Sequence, residues 1–192
     1  MESGDPVAPP AASVAQPPPQ PSAAKAAVSW LRDLSLSVVI MIIVILFLYQ
    51  PVKVEGTSMM PSLVNQERIF INKFVYRFYP IQRGDTVVFQ FPRDTSKSYI
   101  KRVIGMPGDT VDVDHGTVIV NGKRLDEPYV PDEMRDMQTA KTTTLKPDEY
   151  YVMGDHRNSS NDSRNWGPVE RKYVYGKAVF VYWPLERLGL LH

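Results

Sequence analysis

A serine and a lysine in this chain have the types and settings needed for nucleophilic chemistry. Ser58 lies in VEGTSMMPSL, residues 54–63, between a glycine and a methionine pair that ends at Pro61. Proline removes one backbone N–H and restricts the residue before it, so the turn carrying Ser58 is partly preset. Gly56 leaves room for another backbone to approach. A hydroxyl held there is a candidate nucleophile; an ordinary loop serine is the alternative, because a short motif alone discriminates poorly.

Ser58 needs a base. Lys101, in SYIKRVIG, sits in a strand-like run whose alternation puts Tyr99 and Val103 on its own face. Such neighbours strip water from an ammonium and lower its pKa from about 10.4, and a lysine near 7–8 accepts a serine's proton at neutral pH. Equally, Lys101 is an edge-strand lysine that discourages aggregation, a part Arg102 could also fill. Among the three histidines, His115 falls in a hairpin turn and His192 is terminal, so both read as exposed. His156, in GDHRNSSNDSR, has Asp155 and Asp162 close by and could build a Ser–His–Asp arrangement.

The segment MGDHRNSSNDSRNWG, residues 153–167, is rich in residues that bond their own backbone in tight turns. It reads as a brace in which Asp162 and Arg164 pair. Calcium-loop spacing fails, since Arg157 and Ser159 stand where Asp or Asn belongs. No cysteine is present, which excludes a disulfide framework, a thiol nucleophile and a cysteine–metal site. A net charge of +1 gives no basis for nucleic-acid binding.

These residues need elements to position them. Residues 1–27 are Pro/Ala-rich, lack aromatics and read as a disordered tail. Residues 28–51 read as a transmembrane anchor. The charge-free run Leu34–Tyr49 spans about 24 Å as a helix against a hydrocarbon core of about 30 Å. Adding Gln50–Val52 and letting Arg32 snorkel closes most of that gap. A buried core helix would need a larger protein around it, and YQPVKVEG is a poor leader cleavage site. Lys25 and Arg32, against Lys53 beyond the other end, favour a cytoplasmic N-terminus. From 52 to 192, short alternating runs (RIFINKFVY, DTVVFQF, SYIKRVIG, TVDVD, TVIV, EYYVMG, KAVFVYW) predict a mostly antiparallel, coiled or barrel-like β domain. Asn121-Gly122 marks a type I′ hairpin. Residues 126–148 read as a polar excursion between strands.

Together and in order, GTSMMPSL, YIKRVIGMPGD and MGDHRNSSNDSRNWG behind one anchor resemble bacterial type I signal peptidases, over essentially residues 30–184. The resemblance implies Ser58 as nucleophile, Lys101 as general base and Ser160 as a hydroxyl orienting that lysine. It implies Asp162 and Arg164 as a supporting ion pair, with Gly154-Asp155 opening the same box. It further implies that Val52, Val54, Leu63, Tyr99 and Ile100 line shallow pockets for small side chains at the −1 and −3 positions. No metal or cofactor is implied. The partners would be secretory preproteins and the lipid bilayer, with a monomeric enzyme in the bacterial plasma membrane and its catalytic domain outside. Gly56 stands where some relatives carry a serine that donates to the oxyanion hole, and His156 where the family usually has Asn. Two rivals keep the β domain: a Ser–Lys peptidase of the self-cleaving repressor type, and a non-catalytic anchored module that binds exported chains.

Overall fold

A computed structural model describes residues 23–191. Most of the tail read at 1–27, and His192, lie outside the described residues. The first element is a helix, α1, Ala23–Leu48. Its segment Ala24–Ile45, 22 residues, is long and apolar enough to cross a membrane, about 33 Å at helical rise. The helix that holds the anchor expected at 28–51 begins at Ala23 and ends at Leu48. Alanines at 23, 24, 26 and 27 favour helix, so the gap in length closes on the N-terminal side. At the other end the chain leaves the helix at Leu48, and Tyr49–Lys53 form a strand, β1. Inside α1, Ser35 Oγ donates to Leu31 O and Ser37 Oγ to Asp33 O, both at 2.8 Å. Arg32 bonds the neighbouring Asp33 carboxylate at 2.9 Å. Each polar group thereby finds a partner where water is scarce.

The remainder is built from β2 (Arg68–Asn72), a short α2 (Val75–Phe78), β3 (Thr86–Phe91), β4 (Asp94–Gly105), β5 (Thr110–Asp114), β6 (Thr117–Val120), β7 (Lys123–Arg124), β8 (Ala140–Thr144), β9 (Glu149–Met153), α3 (Ser163–Trp166), β10 (Val169–Glu170), β11 (Val174–Trp183) and β12 (Gly189–Leu190). One eight-stranded sheet runs β1-β2-β11-β3-β4-β9-β10, with β12 on β11; a four-stranded sheet runs β7-β6-β5-β8. All the strand pairings are antiparallel, as the alternation predicts, and the large sheet stays open instead of closing into a barrel. Two segments take a form that their sequence runs alone do not give. The polar excursion at 126–148 contains β8, whose threonines suit a half-exposed strand and pair with Thr110–Val113 of β5. RIFINKFVY turns from strand to helix after Asn72, whose Oδ1 accepts the N–H groups of Phe74 and Val75 at 2.9 Å.

The Asn121-Gly122 turn joins β6 to β7 with both residues at positive φ, 53° and 76°. A β-carbon at Gly122 meets open space, so Gly122→Ala is strained by backbone conformation alone, by about 1 kcal/mol. We expect the variant to melt a few degrees lower, roughly 2–4 °C for a domain of this size.

β4 positions the site. Its C-terminal part lies between β3 and β9, where Arg102 faces Met153 and Val103 faces Val152. Toward its N-terminus, Ser98, Tyr99, Ile100 and Lys101 pair with Gln90, Phe89, Val88 and Val87 of β3. No strand among the described residues covers their other side. That leaves an open backbone edge beside the Ser58 turn.

Candidate active site

Ser58 follows β1 on a turn tied down at several points. Leu63 N–H donates to Met59 O at 2.8 Å and Met60 N–H to Thr57 O at 3.1 Å. Met59 is buried in one core cluster with Val54, Leu63, Ile69 and Ile71. The apolar residue beside the serine is thus an anchor of the loop. From the other side, His156 N–H donates to Ser58 O at 3.1 Å, and His156 Nδ1 contacts Thr57 O, also at 3.1 Å.

Lys101 meets this turn from β4. Its Nζ donates to Ser58 Oγ at 2.5 Å, and the residue is only 4 % exposed. Nζ also lies 5.8 Å from the Tyr99 ring centroid, in line with the alternation read from the sequence. Burial pushes the Lys101 pKa down to about 8, against an opposing pull from Asp162 and Asp155; Arg164 helps lower it. An edge lysine that guards against aggregation has to be exposed, so this geometry removes that alternative. It removes Arg102 from the same part too, since Arg102 is buried.

The Ser–His–Asp arrangement also fails. His156 contacts the carbonyl of Thr57, and both carboxylates that it needs are engaged elsewhere. Asp155 takes a bidentate pair from Arg102, Nε at 2.9 Å and Nη2 at 2.7 Å, and the Ser62 hydroxyl at 2.5 Å. Asp162 takes Arg164 Nε and Nη2, both at 2.8 Å, and the Gly154 N–H at 3.0 Å. Burial works to raise the Asp162 carboxyl, but Arg164, the Ser160 hydroxyl and the Gly154 N–H outweigh it and hold it below the usual carboxylate range. Arg164 also binds Asp136 and the Arg157 carbonyl. The expected Asp162–Arg164 brace therefore exists, and Asp162 N-caps α3 as well.

Ser160 lies in the same box. Its Oγ is buried beside the Asp162 carboxylate, which it helps to hold ionised, and the Lys101 Nζ bonds Ser58. The structure therefore does not show Ser160 orienting the lysine. Ser160 is instead in close approach to Gly154, where a β-carbon would lie 2.3 Å from both Ser160 Oγ and Ser58 O.

Beside Ser58 and Lys101 runs a groove of 430 Å³. Val52, Val54, Gly56, Tyr99 and Ile100 line it as expected. Leu63 does not: it is wholly buried beneath, packed in the core with Val54 and Met59. Val88, Ser98, Asn161 and Tyr175 also line the groove and escaped the sequence reading. Register carries a signal for two of them, since Ser98 shares a face with Ile100 and Val88 sits opposite Ile100. Tyr175 and Asn161 arrive through tertiary contacts without any local signal. Gly56 has φ +97°, and its N–H is taken by Asn65 Oδ1 at 3.0 Å. The Ser58 N–H has no partner among the described residues.

Comparison with known proteins gives the family. Residues 27–183 match the family model for signal peptidase, peptidase S26. The chain belongs to the signal peptidase family. It is 35% identical to signal peptidase I P of Bacillus subtilis subsp. natto, over 84% of this chain and 91% of that protein. It is 36% identical to signal peptidase I of Leptolyngbya laminosa, over 99% and 95% respectively. A solved signal peptidase I from Enterococcus faecalis V583 shares 31% identity over 52% of this chain and 97% of that one, with a TM-score of 0.45. As a signal peptidase the chain is a serine endopeptidase, and its single apolar helix is consistent with membrane anchoring.

Proposed function

We propose that this protein removes N-terminal signal peptides from secretory preproteins after an A-x-A-like site, with Ser58 as nucleophile and Lys101 as general base. The observation that carries the reading is the 2.5 Å contact between Lys101 Nζ and Ser58 Oγ on a lysine whose pKa burial lowers to about 8. Neutral Lys101 takes the Ser58 proton as Oγ bonds to the scissile carbonyl carbon. The Ser58 N–H, free of other partners, stabilises the oxyanion. The lysine gives its proton to the leaving amine, and the C–N bond breaks. Lys101 then takes a proton from a water that attacks the acyl carbon; the C–Oγ bond breaks, Lys101 returns the proton to Ser58 Oγ, and the signal peptide leaves as a carboxylate.

The open edge at Ser98–Lys101 supports binding of the preprotein as an added strand, backbone to backbone. Val52, Val54, Val88 and Ile100 then form shallow apolar walls that accept small side chains. The catalytic domain works on the outer face of the plasma membrane, with the N-terminus in the cytoplasm. Asp162, Arg164, Asp155 and Gly154 position the turn and the lysine.

The test is to incubate the purified full chain with a preprotein and locate the cut by mass spectrometry. Cleavage is expected after a small residue at −1, with another small residue at −3. Enlarging the −1 residue to Leu or Phe should lower kcat/KM by at least about 10²-fold, because a pocket closed by packed side chains cannot widen cheaply. Absence of cleavage, or indifference to the size of the −1 residue, overturns the proposal.

A further inference from the structure

A second surface stands out beside the end of α1, and it is chemically distinct from the peptidase groove. Leu48 is the last residue of that helix, and Lys73 N–H donates to its carbonyl at 3.5 Å. The segment Lys73–Tyr79 therefore starts one hydrogen bond from the point where the chain leaves the apolar helix. It carries two cations, Lys73 and Arg77, and ends in two large exposed rings, Phe78 at 77% and Tyr79 at 68% exposure. Arg171 joins them from another part of the chain, and the concavity lined by Lys73, Arg77 and Arg171 has no carboxylate in its wall.

Most charged side chains of this domain are in ion pairs. Lys73, Arg77 and Arg171 are in none among the described residues. Arg77 lies over the Phe74 ring at 5.1 Å and Arg171 over the Tyr76 ring at 5.6 Å. Stacking holds a guanidinium plane in place, and for Arg77, which makes no side-chain hydrogen bond here, it leaves the N–H edge open to a phosphate oxygen. Uncompensated cations interleaved with exposed rings are the composition that settles at a bilayer's headgroup level.

We propose that Lys73, Arg77, Phe78 and Tyr79 form a second membrane contact, in which the cations bind the phosphate of an anionic phospholipid and the rings enter the headgroup boundary. This inference rests on α1 spanning the bilayer and is independent of the peptidase chemistry. Its occupant is lipid because the segment is hydrogen-bonded to the end of the spanning helix and its unpaired cations complement an anionic surface.

The chain has no cysteine, so a single label reports a single position. Full-length Phe78→Cys, carrying an environment-sensitive fluorophore, is reconstituted in phosphatidylcholine vesicles with or without phosphatidylglycerol and nitroxide-bearing lipids. Lys123→Cys, on the exposed β7 hairpin, serves as the reference site. Quenching at position 78 is expected to exceed that at 123 and to grow with phosphatidylglycerol. Lys73→Gln and Arg77→Gln should each shift the docked-to-undocked ratio roughly fivefold toward undocked, with activity in detergent unchanged. Equal quenching at the two positions, or indifference to both charge substitutions, overturns the proposal. So does a result in which the substitutions change cleavage of preproteins with acidic mature regions in detergent and leave quenching unaltered; the concavity is then a peptide subsite. Failure of the chain to float with vesicles at all would count against the spanning helix, and loss of cleavage with quenching intact would count against the peptidase reading alone.

Discussion

Alanine at Lys101 or at Ser58 is expected to lower kcat for preprotein cleavage by at least about 10⁴-fold, as losses of members of a nucleophile–base unit do. Each removes one half of the Lys101–Ser58 contact, and no second base is in place: His156 is on the Thr57 carbonyl, and Asp155 and Asp162 are held by guanidinium groups. The double variant should be hardly worse than either single one, because the two groups act as a unit. Near-normal turnover by Lys101→Ala would falsify the assignment. In the wild type, kcat/KM should rise with pH and level off above about 8, since only the neutral amine accepts the proton and burial sets that pKa.

The same lowered pKa carries a stability consequence with a definite sign. Folded Lys101 titrates at about 8 against an ordinary 10.5, so between those values the unfolded chain binds more protons than the folded one. Stability from this group therefore rises with pH from about 8 to 10.5, and the penalty is fully present below 8. Lys101→Met, which keeps the volume and removes the charge, should be the more stable protein at pH 7, by up to about 3 kcal/mol. Its advantage should fade above pH 10. Thermal melts of the detergent-solubilised full chain at pH 7 and pH 10.5 measure both. A merely structural lysine would give the opposite result, with Lys101→Met destabilised at every pH.

The sequence made the site legible where chemistry is local and lost it where the fold decides. Alternation alone put Tyr99 on the face of Lys101, and positive φ at Asn121 and Gly122 follows from side chains that tolerate it. The choice between an edge lysine and a buried base depended on whether β3 and the Ser58 turn cover Lys101, which no pattern within SYIKRVIG records. Leu63, expected on a pocket wall, lies in the core for a related reason. An apolar residue near Ser58 can face the groove or the core, and here Leu63 packs with the β2 residues Ile69 and Ile71. The strand β8 was missed because KTTT beside charged neighbours resembles a loop until β5 supplies its partner. The buried Glu127–Arg157 pair, 30 residues apart, has no sequence signature at all.

Gly154→Ala is expected to lower kcat by about 10²-fold or more while leaving the domain folded. Gly154 is not at positive φ, so alanine meets no backbone strain there; the effect comes from contact alone. An added β-carbon would lie 2.3 Å from the Ser58 carbonyl oxygen and 2.3 Å from Ser160 Oγ. The glycine cannot retreat. Its N–H is held by Asp162 at 3.0 Å, and its carbonyl by Arg157 Nε at 3.0 Å, with Arg157 itself paired to buried Glu127. The Ser160 hydroxyl can rotate, but the Ser160 β-carbon, 2.7 Å from the added carbon, moves only with its own backbone. The Ser58 carbonyl is backbone and can move only with the turn, giving up the His156 N–H at 3.1 Å. The displacement is therefore shared between the Ser160 segment and the Ser58 turn, and a shift of about 1 Å in a reacting group costs on the order of 10²-fold. The loss should appear in kcat with KM little changed, since the groove walls at Val52, Val88 and Ile100 lie on other elements. Adding Ser160→Ala relieves the hydroxyl contact and leaves the Ser58 carbonyl and Ser160 β-carbon contacts in place, so the double variant should recover little. Full recovery in the double variant, or a Gly154→Ala enzyme with wild-type kcat, would show that the Ser58 turn has more freedom than its hydrogen bonds allow.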